Sequence, residues 1–216
     1  MHVFLRKSLR RYGKFSFISR LKLDASILDV GCGNDSPYWT KQILPNCFYT
    51  GIDIADYGQA KPNLSDNYIV TTPEKFASDI ATNKNCFDAV ISAHNLEHCD
   101  DREKTLQAIM GSLKKNGLLY LAFPSESSVN YPSRGGCLCY YDDPTHKGMP
   151  PDFDSIIEVL HQNGFEIIFL SKCYKPLFLW IVGLLLEPYS RLKKYNSKGT
   201  WAYYGFEAII WARKRV

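Results

Sequence analysis

The sequence lacks several features that would assign it to a secreted or membrane-spanning class. Its seven cysteines are an odd number and include no Cys-x-x-Cys pair, and the close pair Cys137-x-Cys139 is poor evidence for a disulfide or a metal clamp. The N-terminus is basic, but no apolar segment follows it as the core of a signal peptide would. No internal repeat is visible. We therefore expect reduced thiols and a cytoplasmic protein.

Long hydrophobic runs are also scarce. The longest, 176–188, falls short of the roughly 20 residues that cross a bilayer. It could form a buried helix, a lid, a dimer surface or a helix lying in a membrane interface. Trp180 and the basic residues that follow the run keep the membrane interpretation open.

Acidic residues are missing from the N-terminal segment. Residues 1–23 contain seven Lys or Arg and no Asp or Glu, so with a net charge of +4 for the chain the remaining residues sum to −3. This segment is expected to be a helix with a solvated basic face, or a contact for anionic lipid or a phosphorylated substrate. The patch is short and no compact RNA-binding appendage is visible, so a nucleic-acid partner is not expected.

What the sequence does contain is an alternation of short apolar strands with helical segments. The 216 residues are 45% apolar and 22% charged, as in an ordinary globular protein. Amphipathic patterns predict helices over 101–115 and 152–163. Strands are predicted at 26–30, 48–52, 67–70, 87–92, 117–123, 165–170 and 205–212. The alternation predicts an open α/β sheet with helices on both faces.

A nucleotide-binding pattern opens this alternation. The first strand runs into Gly31-Cys32-Gly33, and Asp53 ends the second strand 20 residues later. The third glycine of the dinucleotide fingerprint is missing, which argues against NAD. Asp29, at the end of the first strand, would repel a pyrophosphate but suits a ligand that carries an amino group.

These residues resemble the class I S-adenosylmethionine-dependent methyltransferases. The matching segments are Leu28–Gly33, Gly51–Asp53, Phe87–His98 and Leu113–Leu121, in the order and spacing of that family. The resemblance implies a Rossmann-like open twisted sheet of about seven strands, mostly parallel with an antiparallel last strand. It also implies one domain over 1–216, with a basic N-terminal helix or segment (1–23), an active-site loop (124–150) and an apolar insertion before the last strand (174–200).

The resemblance also implies a cofactor and the residues that bind it. The cofactor is S-adenosyl-L-methionine, which leaves as S-adenosyl-L-homocysteine. Asp53 would bind the ribose hydroxyls, and Asp29 the amino group. The implied cofactor-binding residues are Asp29, Gly31, Cys32, Gly33, Asp53, Ile54, Glu74, Ala93 and His94.

The acceptor side is less defined. His98 and His146 are the candidate catalytic bases, the second within the long loop 124–150. In some members of the family the segment after the fourth strand reads E-x-x-E-H and, with a later histidine, binds a divalent metal. Here the segment reads His94-x-x-Glu97-His98, without the first carboxylate, and the sequence leaves metal binding open. Side chains of the loop that could bind a sugar are Tyr131, Tyr140, Tyr141, Asp142 and Asp143.

The chain is thus interpreted as a methyltransferase acting on a small-molecule hydroxyl group, such as that of a sugar or a glycolipid intermediate. The alternatives are methylation of RNA or of a quinone-like lipid, and a non-catalytic S-adenosylmethionine-binding or scaffold protein. Further expectations are a membrane contact through 1–23 and 176–188, at the inner face of the membrane, or a homodimer.

Overall fold

The computed structural model describes residues 9–58 and 60–216. Within this part of the chain seven strands form one mixed sheet in the order β3-β2-β1-β4-β5-β7-β6. The strands are β1 Ser26–Val30, β2 Phe48–Asp53, β3 Asn67–Val70, β4 Phe87–Ala93, β5 Leu113–Pro124, β6 Phe165–Ser171 and β7 Glu207–Lys214. Only β7 runs antiparallel to its neighbours, β5 and β6. The predicted Rossmann-like sheet with an antiparallel last strand is confirmed.

Helices connect the strands. In the described residues they are α1 Lys14–Ile18, α2 Ser36–Ile43, α3 Phe76–Ala81, α4 Arg102–Ser112, α5 Phe153–Gln162, α6 Leu177–Lys193 and α7 Thr200–Tyr204. Three short 3₁₀ turns lie at Leu96–His98, Glu126–Asn130 and Tyr140–Asp142. The predicted loop 124–150 contains the last two of these turns.

The helix predicted over 101–115 ends earlier than expected, at Ser112. The carbonyl groups of Gly111 and Ser112 accept hydrogen bonds from the N–H groups of Asn85 and Cys86, just before β4. These carbonyls are therefore used by the incoming strand instead of by another helical turn, and Leu113 already pairs with β4. The prediction for residues 113–115 was wrong because the local pattern could not show this tertiary pairing.

The predicted N-terminal helix is only partly within the described residues, since residues 1–8 lie outside them. Between residues 9 and 23 the helix α1 spans Lys14–Ile18 and buries Phe17 and Ile18 against the sheet. Of the 174–200 insertion, most forms α6, and α7 begins at its end.

The core lies on both faces of the sheet. On one face α3, α4 and α5 cover side chains such as Val90 and Leu121. On the other, α1 covers Tyr49, Tyr120 and Trp211. The sheet is therefore shielded on both faces, and its carboxyl edge is where a ligand can reach it.

Two further expectations can be compared with the structure. All seven cysteines are free thiols, in line with the reduced state expected. None of the described helices combines the length and the apolar character that crossing a membrane requires.

Candidate active site

The strand order brings distant parts of the chain to one edge of the sheet. Val30 of β1 pairs with Ser92 of β4, and Ile52 of β2 pairs with Val30. Along the same edge Pro124 of β5 faces Glu207 of β7. The chain leaves β1 and β4 toward opposite sides of the sheet, and ligands of open α/β sheets bind at such a crevice.

Gly31 and Gly33 form the turn after β1, and both have positive φ angles, +69° and +56°. A Cβ on Gly31 would lie 2.6 Å from the side-chain oxygen of Asn95, so this position admits glycine alone. A Cβ on Gly33 would meet no atom of the described residues within 4 Å. Gly31 is therefore required by the fold, whereas the Cα of Gly33 faces space into which a ligand could fit.

Asp53, at the end of β2, is held by the same turn. Its Oδ2 accepts a hydrogen bond from the N–H of Gly33 (2.8 Å), and its Oδ1 one from the N–H of Ile54 (2.8 Å). Burial raises the pKa of Asp53, and these hydrogen bonds oppose the increase. The Tyr57 side chain also hydrogen-bonds this carboxylate, so one of the two ribose hydroxyls would bind in competition with Tyr57 or beside it.

Asp29 is completely buried and lies under the N-terminal segment. Its Oδ2 accepts hydrogen bonds from the Lys14 ammonium (2.7 Å), the Ser36 hydroxyl (2.6 Å) and the Tyr49 hydroxyl (2.7 Å). Its Oδ1 has no partner among the described residues. The Lys14 ammonium group therefore supplies positive charge beside Asp29, where the sequence predicted the amino group of a ligand.

The remaining residues predicted to bind the cofactor lie in different environments. Cys32 is buried, which raises its thiol pKa, and its Sγ fills the space beside Gly51. Ala93 ends β4 at the crevice. Ile54 and Glu74 are exposed, and a hydrogen bond with Thr72 lowers the pKa of Glu74.

His94 follows β4 with a left-handed backbone, φ +53°. Its Nδ1 lies 3.1 Å from Glu97 Oε1 and its Nε2 lies 3.0 Å from Glu207 Oε1. Burial alone would lower the pKa of His94. The hydrogen bonds that its ring nitrogens donate to the Glu207 and Glu97 carboxylates raise this pKa to about 10. His94 is therefore an imidazolium at neutral pH and cannot act as a base.

Glu207 belongs to the same buried network. Burial would raise its pKa, but Arg10 and His94 lower it to about 2. Arg10, from the start of the described chain, pairs with Glu207 Oε2. The network thus connects the N-terminal segment to the tip of β4 through alternating charges.

The structure brings His98 and His146 together, with their ring centroids 4.9 Å apart. The hydroxyl of Thr145 donates to Asp143 (2.6 Å) and so accepts from His98 Nδ1–H (2.9 Å). His146 Nδ1–H donates to the carbonyl of Tyr140 (2.6 Å). Because each Nδ1–H is donated in this way, Nε2 is the ring nitrogen that can accept a proton, and Nε2 of His146 lies 4.0 Å from Asp143 Oδ2.

Glu97 adds a carboxylate to these two histidines. One of its oxygens and a ring nitrogen of each histidine lie within 4.8 Å of one another, so the three residues could hold a divalent cation. Glu97 Oε2 is buried and has no hydrogen-bond partner in the described chain. His94, which the sequence grouped with them, faces Glu207 and Glu97 instead.

The loop 124–150 is fixed over this edge by two arginines. Arg102 donates to the carbonyls of Leu96 (3.0 Å) and Met149 (2.6 Å). Arg134 of the loop forms a buried ion pair with Glu187 of α6, at 2.8 Å. The loop is therefore part of the packed structure, and it holds His146 with only 7% of its side chain exposed.

Sequence reasoning missed several residues of the site. Those identified only in the structure are Arg10, Lys14, Asn95 and Glu207. Glu207 carried a signal, because a single acid at the start of an apolar strand predicts a buried partner. The other three gave no local signal.

Comparison with known proteins identifies the family. A sequence model described as "Methyltransferase domain" matches residues 1–170. No curated protein sequence matches the chain. Because the family match spans more than half of the chain, the chain belongs to the methyltransferase-domain family and is an S-adenosylmethionine-dependent methyltransferase.

Solved structures share the fold at low sequence identity. An S-adenosylmethionine-dependent methyltransferase from Mesorhizobium loti has a TM-score of 0.64 and 13% identity, over 93% of this chain and 97% of that one. One from Archaeoglobus fulgidus has a TM-score of 0.55 and 17% identity, over 99% and 100%. The N-methyltransferase NodS from Bradyrhizobium japonicum, in complex with S-adenosyl-L-homocysteine, has a TM-score of 0.56 and 14% identity, over 93% and 85%. These likenesses concern the fold.

Proposed function

We propose that this methyltransferase methylates a hydroxyl group of a small-molecule acceptor, a sugar or a glycolipid intermediate. The observation that carries the proposal is the pair His98 and His146, in which Thr145 and the Tyr140 carbonyl engage the Nδ1 atoms and leave Nε2 as the ring nitrogen that can accept a proton. A hydroxyl oxygen is a weak nucleophile until a base removes its proton, whereas a neutral amine is nucleophilic without a base. Two basic imidazoles therefore suit a hydroxyl acceptor.

The donor side fits S-adenosylmethionine. Gly33 leaves open space next to its backbone, where the methionine part of the cofactor would pass. Asp53 would accept hydrogen bonds from the two ribose hydroxyls, and the unpartnered Oδ1 of Asp29 one from the amino group. When bound, the cofactor supplies an activated methyl group on a sulfonium.

The chain's own residues would align the acceptor and move one proton. The cofactor would supply the methyl carbon to the acceptor oxygen, with its carbon–sulfur bond broken, and would leave as S-adenosylhomocysteine. The hydroxyl proton passes to Nε2 of His98 or His146 and then to solvent. Alignment supplies much of the rate, because the methyl group is already activated.

The side chains expected to bind a sugar differ in how strongly the protein's own contacts engage them. Tyr140 is completely buried, and the Asp142 carboxylate accepts hydrogen bonds from the N–H groups of the loop itself. Tyr131 donates to the carbonyl of Tyr204. Tyr141 is 58% exposed, with its hydroxyl donating to Met149 Sδ (3.2 Å), and Asp143 is partly exposed while it accepts from Thr145 (2.6 Å), so these two are the side chains that we propose for contact with an acceptor.

The partners proposed with this function follow from the sequence. They are a small-molecule acceptor and a membrane surface reached through 1–23 and 176–188, at the inner face of the membrane. A homodimer is the alternative use of the apolar run. Methylation of RNA or of a quinone-like lipid, and cofactor binding without turnover, are the alternatives that the experiment below separates.

The test is transfer of a labelled methyl group. The purified chain would be incubated with methyl-labelled S-adenosylmethionine and with separate sugar, lipid and RNA fractions of a cell extract. We expect label in the sugar or glycolipid fraction, as a methyl ether. His146→Ala should lower kcat by about 100-fold or more without changing the affinity for S-adenosylhomocysteine.

The matched control is His161→Ala, because His161 is an exposed histidine on α5, away from the crevice. This control should transfer methyl groups at the wild-type rate. Label in the RNA fraction would contradict the proposed sugar or glycolipid acceptor and would identify RNA as the acceptor. Tight binding of S-adenosylhomocysteine with no transfer to any fraction would favour the non-catalytic alternative.

A further inference from the structure

Helix α6 has its polar side turned inward and its apolar side turned outward. Its buried residues are Gly183, Glu187 and Ser190, which are spaced as one stripe of a helix. In α5, by contrast, the buried residues are Phe153, Ile156 and Leu160. An ordinary amphipathic helix of a water-soluble domain follows the pattern of α5.

The inward stripe is fixed by specific contacts. A Cβ on Gly183 would lie 2.2 Å from the carbonyl oxygen of Gly199, so the two backbone segments touch. Glu187 accepts hydrogen bonds from Arg134 (2.8 Å) and from the hydroxyl of Tyr204 (2.6 Å). The helix therefore cannot turn its apolar side inward without breaking a buried ion pair and this close contact.

The outward side is a continuous apolar surface, which we call the α6 face. Its members are the exposed residues Leu177, Phe178, Ile181, Leu184, Leu185, Leu186, Tyr189 and Leu192. Leu185 is 73% exposed and Leu192 is 85% exposed. Contiguous apolar surfaces of this kind mark contacts with partners or membranes.

The charges around the α6 face point to an anionic partner. Between residues 172 and 201 there are six basic residues and one acid, Glu187, and that acid is buried in its pair with Arg134. The basic residues Lys172, Lys175, Arg191, Lys193, Lys194 and Lys198 are exposed. Two copies of this chain meeting through the α6 face would bring these like charges together, which disfavours a homodimer.

The N-terminal segment also carries positive charge. Arg10 and Tyr174 line a cavity of about 190 Å³ together with Pro176 and Leu179, at the first turn of α6. In the sequence, residues 1–23 contain seven basic residues and no acid. A segment with these charges complements an anionic surface.

We infer that the α6 face docks on the surface of an anionic lipid bilayer. The leucine and phenylalanine side chains enter the interface between headgroups and acyl chains, and the basic residues contact lipid phosphates. The cavity beside Arg10 also contains Glu207, the partner of His94, so docking brings the bilayer close to the acceptor side. Only this last point rests on the proposed function, since it favours a lipid-linked acceptor.

The test is binding of the full chain to vesicles, measured by flotation. Vesicles of phosphatidylcholine alone are compared with vesicles that also contain phosphatidylglycerol. We expect the wild-type chain to bind the anionic vesicles, and binding to weaken as salt is added. Leu185→Gln combined with Leu192→Gln should reduce the affinity roughly 100-fold, because two large apolar contacts are lost.

A matched control uses two apolar residues on another surface. Ile168 and Leu170 on β6 are 45% and 48% exposed, and replacing both by Gln should leave vesicle binding unchanged. Unchanged affinity for S-adenosylhomocysteine would show that each variant is folded. Vesicle binding requires neither acceptor nor turnover, so its outcome is separate from that of the methyl-transfer test.

Three results would overturn the inference. The first is a wild-type chain that floats with neither kind of vesicle. The second is a Leu185/Leu192 double variant that binds as well as the wild-type chain. The third is a dimer in sedimentation experiments that the same double variant abolishes, which would assign the α6 face to a second copy.

Discussion

The donor half and the acceptor half of the crevice are built in different ways. The proposed donor half, around Gly31, Gly33 and Asp53, comes from two neighbouring strands and the turn that follows the first of them. The acceptor half joins Arg10, His94 and Glu207 with the loop that carries His146. Local backbone geometry thus forms one half, and ion pairs between distant residues form the other.

This difference has an energetic consequence. A tight turn without Cβ atoms depends on its own backbone angles and on one neighbouring side chain. A buried ion pair depends on both partners, since either charge left alone in the interior is strongly unfavourable. We therefore expect the acceptor half to be the more sensitive to single substitutions at distant positions.

The largest effect is expected where the loop is anchored to α6. Arg134→Met removes the buried one of the two guanidinium groups that pair with Glu187 and leaves that carboxylate only the exposed Arg191, so it should lower the free energy of unfolding by about 3–5 kcal/mol. Arg191→Met is the matched control, because Arg191 pairs with the same carboxylate but is 67% exposed. It should cost less than about 1 kcal/mol. Urea denaturation measures both, and equal losses would contradict the comparison.

The two glycines of the donor turn should differ in a second test. Gly31→Ala places a Cβ against Asn95 at a left-handed position and should cost about 2–4 kcal/mol of stability. Gly33→Ala meets open space and should cost only the backbone strain, about 1–2 kcal/mol. Both variants should lose affinity for S-adenosylhomocysteine in calorimetric titrations. A Gly33→Ala variant with wild-type affinity for S-adenosylhomocysteine would show that Gly33 does not contribute to cofactor binding.

A smaller effect is expected on binding alone. Asp53→Ala removes the carboxylate proposed for the ribose hydroxyls and should weaken S-adenosylhomocysteine binding by about 10- to 100-fold, as expected for hydrogen bonds to a charged group. Asp56→Ala changes an exposed acid three residues away and should bind normally. If the two variants bind with equal affinity, Asp53 is not the ribose ligand.

The smallest effect concerns the pH dependence of the acceptor half. The pKa of His94 is raised to about 10 in the folded chain, so its contribution to stability is complete below its unfolded pKa near 6.5. That contribution is lost as the pH rises through about 10, and a loss of about 1 kcal/mol is expected between pH 7 and 8. Tm measured against pH should therefore fall more steeply for the wild-type chain than for His94→Gln.

Glu207 gives the opposite dependence in acid. Its pKa is lowered to about 2, so its contribution to stability is complete above its unfolded pKa near 4.5 and is lost as the pH falls through about 2.

The control for His94→Gln is His161→Gln, at an exposed histidine, which should follow the wild-type curve of Tm against pH. Parallel curves for the wild-type chain and His94→Gln would mean that His94 is not charged in the folded state.

Much of the fold could be predicted from the sequence, because strands buried on both faces have a clear apolar pattern. All seven predicted strands are present, and the helix predicted over 152–163 forms as α5. The helix over 101–115 was predicted too long, because Asn85 and Cys86 bond to its last carbonyls from another strand. Periodicity reports which side of an element is apolar, and it cannot report which distant backbone group will compete for a carbonyl.

By itself, the sequence determined the donor half: a strand, a turn of two glycines and an acid on the next strand are contiguous features with fixed spacing. Only the tertiary structure decided the acceptor half. It made His94 an imidazolium between two carboxylates, brought His98 against His146, and turned the apolar side of α6 outward. The reason is physical, since a side chain's charge and exposure depend on neighbours that the chain places beside it only when it folds.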